Sequence, residues 1–198
     1  DLDYYHFCIA NICGSPVTVS RTGYTGELGY EIYADGNAIK NIWKSLLQFE
    51  NELTPAGLGC RDTLRMEMKY VLYGNDINEK TNPIEAGLGW IAKTNKASFI
   101  GKEKLLDFQL SHSKKLVCFE MIDRGIPRPG YSVSKDSNAI GIVTSGTQSP
   151  SLKKGIGLAY VDKKYSKTGT SLFLDVRGKK LKCEIVKPPF YKNGSVFN

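Results

Sequence analysis

At 198 residues, with 41% apolar and 24% charged side chains, the chain has an ordinary globular composition and room for one large domain or two small ones. No run approaches the roughly 18 apolar residues of a membrane helix, and no charged-then-apolar leader opens the chain; a start at Asp1 rather than Met is expected of a piece of something longer. The net charge of +7 is lopsided: residues 1–90 hold 7 Lys+Arg against 12 Asp+Glu (−5), and residues 91–198 hold 20 against 8 (+12).

Tyr4 to Ile12 and Pro16 to Ser20 read as two short strands with Gly14-Ser15 as the turn between them. A loop with Gly23, Gly26 and Gly29 follows; its spacing is neither G-x-G-x-x-G nor a P-loop, so it implies no phosphate cradle. Tyr30 to Ala34 alternates as a strand, with Tyr30 and Ile32 on one face and Glu31 and Tyr33 on the other. By strand pattern alone, Glu31 points to water. Asp35-Gly36-Asn37 offers a turn and an N-cap, and Ile39, Ile42, Trp43, Leu46 and Leu47 repeat at helical spacing over Ala38 to Glu50, which places Trp43 in the core.

A second helix opens after Pro55-Ala-Gly-Leu-Gly59, with Cys60, Leu64 and Met68 on one stripe and Arg61 and Arg65 on another. Arg61 in a first helical turn, where the macrodipole disfavours a cation, reads in two ways: as a ligand for an anion such as a carboxylate, or as a surface ion pair with Asp62 or Glu67. Tyr73-Gly-Asn-Asp76 is a turn, Thr81-Asn-Pro83 a helix breaker, and Ala86 to Ile91 a tightly packed strand whose Trp90 belongs either to the core or to the wall of a flat ligand's pocket. A short helix from near Lys102 to about Ser113 comes next.

From Lys115 the texture changes to six short strands: Leu116–Ile122, Tyr131–Val133, Ala139–Thr144, Ile156–Val161, Ser171–Val176 and Leu181–Lys187, with Ser145-Gly146 among the breakers between them. They predict a small barrel or sandwich. The whole reads as an α+β fold, an antiparallel sheet with packed helices over residues 1–112, followed by a small C-terminal β-barrel over 113–198. The five cysteines form no C-x-x-C pair and each lies in an apolar segment, so they read as buried small hydrophobes in a reducing compartment. Neither His6 nor His112 has metal-ligand or triad spacing to another group, so no metal site is expected. The basic half reads either as a Lys-rich solvated face or as a surface for an acidic partner. Its lysines come as scattered pairs with no Arg-rich, aromatic-interleaved tract, which argues against nucleic acid.

Five ordered segments carry a resemblance: SRTGYTGELGYEIY (Ser20–Tyr33), GLGCRDTLRMEMKYVLYGNDI (Gly57–Ile77), NPIEAGLGW (Asn82–Trp90), FIGKEKL (Phe99–Leu105) and TSGTQSPSLKKGIGLAYV (Thr144–Val161). In order and spacing they resemble the T-protein (aminomethyltransferase) family of the glycine cleavage system. The resemblance implies an enzyme that takes an aminomethyl group from the lipoyl arm of the H-protein, releases ammonia and gives 5,10-methylenetetrahydrofolate from tetrahydrofolate. It implies a small C-terminal β-barrel, no metal, and a location in a bacterial cytoplasm or a mitochondrial matrix. Residue by residue, it implies that Glu31 binds the pterin, that Tyr24 lines the same pocket, that Arg61 binds folate and that Trp90 walls the pocket.

Two departures limit the resemblance. The family is about twice this length, and the aspartate placed near the reactive folate nitrogens belongs to a half not represented here, so no catalytic residue is assigned and the chain alone is expected to lack transferase activity. The C-terminal tyrosine that some members use has no match in the tail, so Tyr191 stays unassigned. Alternatives are a related folate-dependent demethylase, the folate half of a dimethylglycine-type dehydrogenase, and a non-catalytic module whose basic barrel docks an acidic partner. The folate-binding protein of iron–sulfur enzymes fits poorly, since Phe99-Ile-Gly-Lys-Glu stands where that protein has a cysteine motif.

Overall fold

The computed structural model describes residues 2–49 and 52–197. It divides into two compact units, Asp1–Arg65 with Lys192–Asn198, and Met66–Tyr191.

The first unit is built on a three-stranded antiparallel sheet in the order β1 (Phe7–Ile12), β2 (Ser15–Ser20), β3 (Glu31–Tyr33). The β1–β2 turn is Cys13-Gly14, one residue earlier than the sequence suggests, with Ile12 paired to Ser15. Both turn residues have positive φ (52° and 77°), which matches the twist of the flanking strands as a two-residue hairpin requires. β1 is an edge strand, and its Phe7 and Ile9 are 69% and 71% exposed. Helix α1 (Gly36–Leu46) starts at the predicted cap: the Asp35 carboxylate accepts from the Asn37 and Ala38 N–H groups, both at 2.9 Å. The helix ends before Glu50, which lies outside the described residues. Its covered seam is Ala38 and Ile42, spaced i, i+4; Trp43 is 54% exposed, not core, because the apolar stripe is wider than the seam that packs.

Helix α2 (Leu58–Glu67) also departs from its predicted stripe. Cys60 is exposed, whereas Arg65, Met66, Glu67 and then Met68 are consecutively buried. Four adjacent buried positions cover every side of a helical turn, so burial here runs along the axis and not down one face. Residues 86–91 form turns and no strand, with Ala86 fully buried and Trp90 73% exposed, so Trp90 is not core. Helix α3 (Lys102–Ser111) buries no residue.

The second unit is dominated by a closed barrel, β4 (Lys114–Met121), β5 (Ser132–Lys135), β6 (Asn138–Ser149), β7 (Lys154–Asp162), β8 (Ser171–Val176) and β9 (Lys179–Val186), in the order β4-β7-β6-β5-β8-β9 and closed by β9 on β4. All six predicted strands are present. β6 runs straight through Ser145-Gly146, because a register shift between Val143 and Ser145 absorbs the irregularity instead of ending the strand. Val117, Phe119, Val143, Ala159, Leu172 and Ile185 fill the interior. The alternate residues Leu116, Cys118, Ile156, Leu158 and Tyr160 form a second cluster with Met66 and Phe190, so β7 is buried on both faces. Gly157 lies under the Phe119 ring, and a Cβ there would stand 2.3 Å from its Cζ. The cysteines divide: Cys118 and Cys183 are buried and burial pushes both thiols up to about 12, whereas Cys8, Cys13 and Cys60 are exposed, contrary to their apolar sequence surroundings.

Candidate functional site

The loop of residues 21–30 joins β2 to β3 in the first unit and carries Tyr24. Its neck is tied by Arg21, whose guanidinium donates to the Tyr30 hydroxyl and lies 4.5 Å over the Tyr30 ring. Beside the neck, Glu31 is half-buried and does not simply face water. Thr22 donates its hydroxyl to Glu31 Oε2, and Tyr33 donates to the same oxygen at 3.1 Å. Thr22 has one hydroxyl proton, committed to Glu31, so the 2.7 Å contact with Ser20 is donated by Ser20. Glu31 and Tyr33 share a strand face as the period of two dictates, and the carboxylate holds the Tyr33 hydroxyl above the usual phenol range. Both donors address Oε2, and among the described residues none addresses Oε1, whose lone pairs are left for a ligand.

Arg61 pairs with neither Asp62 nor Glu67. Its guanidinium lies 4.6 Å over the Tyr24 ring, while Asp62 accepts from Arg65 Nε at 2.8 Å and Glu67 accepts from Ser149 and Ser151. Cation–π contact orients Arg61 without neutralising it, so its N–H groups remain able to meet an anion. Tyr24 and Arg61, 37 positions apart, are thus brought together, and Glu31 is anchored through Thr22 to the loop that carries Tyr24.

The C-terminal tail completes the loop. Ser195 N–H and Oγ donate to Glu27 Oε2 at 2.9 and 2.5 Å, and Leu28 N–H donates to Ser195 Oγ at 2.8 Å. These bonds hold the Glu27 carboxyl below its ordinary range. A Cβ on Gly194 would stand 2.4 Å from the Gly26 carbonyl oxygen, so only glycine lets the tail lie this close.

Residues 1–96 match the GCVT N-terminal domain and residues 114–192 the glycine cleavage T-protein C-terminal barrel domain. The chain belongs to the glycine cleavage T-protein (aminomethyltransferase) family. It is 49% identical to the aminomethyltransferase of Bacteroides thetaiotaomicron over 96% of this chain and 55% of that protein, and 48% identical to that of Halothermothrix orenii over 96% and 54%. The crystal structure of the glycine cleavage system aminomethyltransferase T from Bartonella henselae superposes with a TM-score of 0.85 at 33% identity, over 90% of this chain and 50% of that one. The chain therefore spans about half the length of the T-protein relatives it matches.

Within the T-protein segment Gly57–Trp90, the buried charges Glu67 and Asp76 are structural. Glu67 is 2% exposed under its two serine donors, and Asp76, 1% exposed, accepts from Thr144 Oγ1 and the Leu72 N–H while its carbonyl accepts from the Tyr160 hydroxyl. The serine partners of Glu67 are more than 80 residues away, which is why sequence spacing did not reveal them. Thr22, Tyr33 and Ser195 were likewise missed as supports of the site; Thr22 and Tyr33, both inside the family motif, carried a local signal, and Ser195 carried none.

Proposed function

We propose that this chain supplies the folate-binding portion and the C-terminal barrel of a tetrahydrofolate-dependent aminomethyltransferase. The observation that carries the reading is the pairing of an oriented carboxylate with an oriented guanidinium: Glu31 with Oε1 unengaged, and Arg61 held over Tyr24. A carboxylate oxygen with free lone pairs accepts hydrogen bonds from a pterin ring N–H and its 2-amino group, and a guanidinium meets the negative end of the same ligand. The residues present fit the ligand in donor and acceptor type. Trp90 is 73% exposed, so its indole face is open to a ligand, and its role as a pocket wall rests on the family resemblance.

In the complete reaction the one-carbon unit passes from the aminomethyl-lipoyl H-protein to tetrahydrofolate with loss of ammonia. This chain's residues bind and orient folate. None of them is assigned the proton transfer, so residues 1–198 alone bind folate and do not transfer. The division into a folate-binding part over 1–112 and a barrel over 113–198 belongs to the same proposal. The +12 balance of residues 91–198 suits an acidic protein partner, the H-protein in this reading.

Folate titration of the chain and of its Glu31→Ala and Arg61→Ala forms tests the assignment. Each substitution removes a charge-assisted interaction worth about 1.5–3 kcal/mol and is expected to weaken binding about 10- to 150-fold. Negligible binding by all three proteins, or equal binding by all three, overturns it.

A further inference from the structure

Lys69 follows the last turn of α2 with φ 61°, and its N–H closes the helix on the Met66 carbonyl at 2.9 Å. The left-handed region is unfavourable for a non-glycine residue. Its side chain is half-buried, and Nζ donates to the Ala86 carbonyl at 3.2 Å. An ammonium has three protons to donate and this one spends a single proton; among the described residues it makes no ion pair. Burial pushes its pKa down; the buried Asp76 carboxylate opposes that shift from nearby, and the charge of Lys115 adds to it. Cys118 gives no counter-charge, because its buried thiol stays protonated.

Lys69 and Lys115 line one cavity of about 270 Å³, together with Gly87, Thr168, Val186 and Pro188. No carboxylate lines it. Two lysines and a threonine therefore line a shared space, Lys69 with donors to spare, and Asp76, the nearby acid, makes no ion pair with Lys69 and is not among the lining residues. Ligand sites for drug-sized molecules run from about 300 to 1,000 Å³, so this space suits something smaller than a folate or a nucleotide.

We propose that this cavity is a binding site for a small phosphate-type anion, held by Lys69 and Lys115 through their ammonium groups. Lysine meets phosphate as a point charge, and two lysines match a dianion better than a singly charged carboxylate. Inorganic phosphate and the phosphoryl group of a small metabolite present the same chemistry.

The test is a titration of the full 198-residue chain with inorganic phosphate at constant ionic strength, read by the amide shifts of Gly87 and Thr168. Saturable shifts are expected, with a Kd on the order of millimolar or tighter. Lys69→Gly, which suits the positive φ and keeps the helix end intact, is expected to weaken binding at least roughly tenfold; Lys69→Arg is expected to retain it. A parallel titration with glycerol phosphate assigns the source: tighter binding than phosphate points to a metabolite. Shifts that do not saturate, or equal affinity in the Lys69→Gly chain, overturn the site.

Discussion

Ser195 grips Glu27 twice, with its backbone N–H and its hydroxyl on one carboxylate oxygen, across 168 positions of sequence. The loop that holds Tyr24 over Arg61 is therefore fastened by the last residues of the chain.

Removing this fastening is expected to loosen the loop and leave the barrel intact. Ser195→Ala should speed hydrogen exchange at the Leu28 amide, whose acceptor is the lost hydroxyl, while barrel amides such as Leu158 stay protected. Acid should act similarly. The Glu27 pKa is depressed below its ordinary 4.5 on folding, so its contribution is complete above that value and is lost as pH falls through the lower folded value. Exchange at Leu28 followed from pH 6 down to pH 3 checks the direction, with a small amplitude because Glu27 is exposed.

Thr22 acts through Glu31. Thr22→Val deletes the hydroxyl that fixes Oε2 and is expected to weaken folate binding by roughly tenfold, the size of one charge-assisted hydrogen bond. Thr22→Ser should restore it. Equal weakening by valine and serine would assign the effect to packing.

The buried Glu67 is a stability element. Glu67→Ala strands the Ser149 and Ser151 hydroxyls without their acceptor and opens a small cavity, for an expected loss of about 3 kcal/mol in chemical denaturation. Because Ser149 also accepts from the Leu152 N–H, the turn after β6 should lose its exchange protection in the same variant.

Gly157 and Phe119 form a matched pair inside the barrel. Gly157→Ala drives a methyl into the ring and is expected to cost about 1–3 kcal/mol. Phe119→Leu alone leaves a void. The double variant should be more stable than the sum of the two costs, and a denaturation double-mutant cycle measures that coupling.

The five thiols should divide by exposure. In the folded chain Cys8, Cys13 and Cys60 are expected to alkylate at neutral pH, and Cys118 and Cys183 only after unfolding. Peptide mapping by mass spectrometry distinguishes the two groups.

The barrel was legible because its signal is local: six apolar runs of strand length separated by turn residues. The Asp35 cap and the Cys13-Gly14 hairpin were legible for the same reason, to within a residue. What escaped was what depends on neighbours. Trp43 and Cys60 carry the pattern of covered residues, yet the described fold places nothing sufficient over them. The charges of Arg65 and Glu67, set among apolar neighbours, left open a polar network inside the fold or a ligand site, and the fold buries both with partners; Asp76, legible only as a turn residue, is buried as well. For the candidate site, residue patterns left Glu31 facing water and Arg61 undecided. Family resemblance pointed to both, and the fold adds their supports: Thr22 and Tyr33 for one, Tyr24 for the other.

Closure of the barrel pairs Met121 of its first strand with Cys183 of its last. During synthesis the β4 edge therefore waits, unpaired and apolar, while more than sixty further residues leave the ribosome. A message cut short before β9 would yield not a smaller barrel but an open sheet with two sticky margins, a substrate for chaperones or proteases. The penalty for early termination thus falls on solubility before it falls on activity.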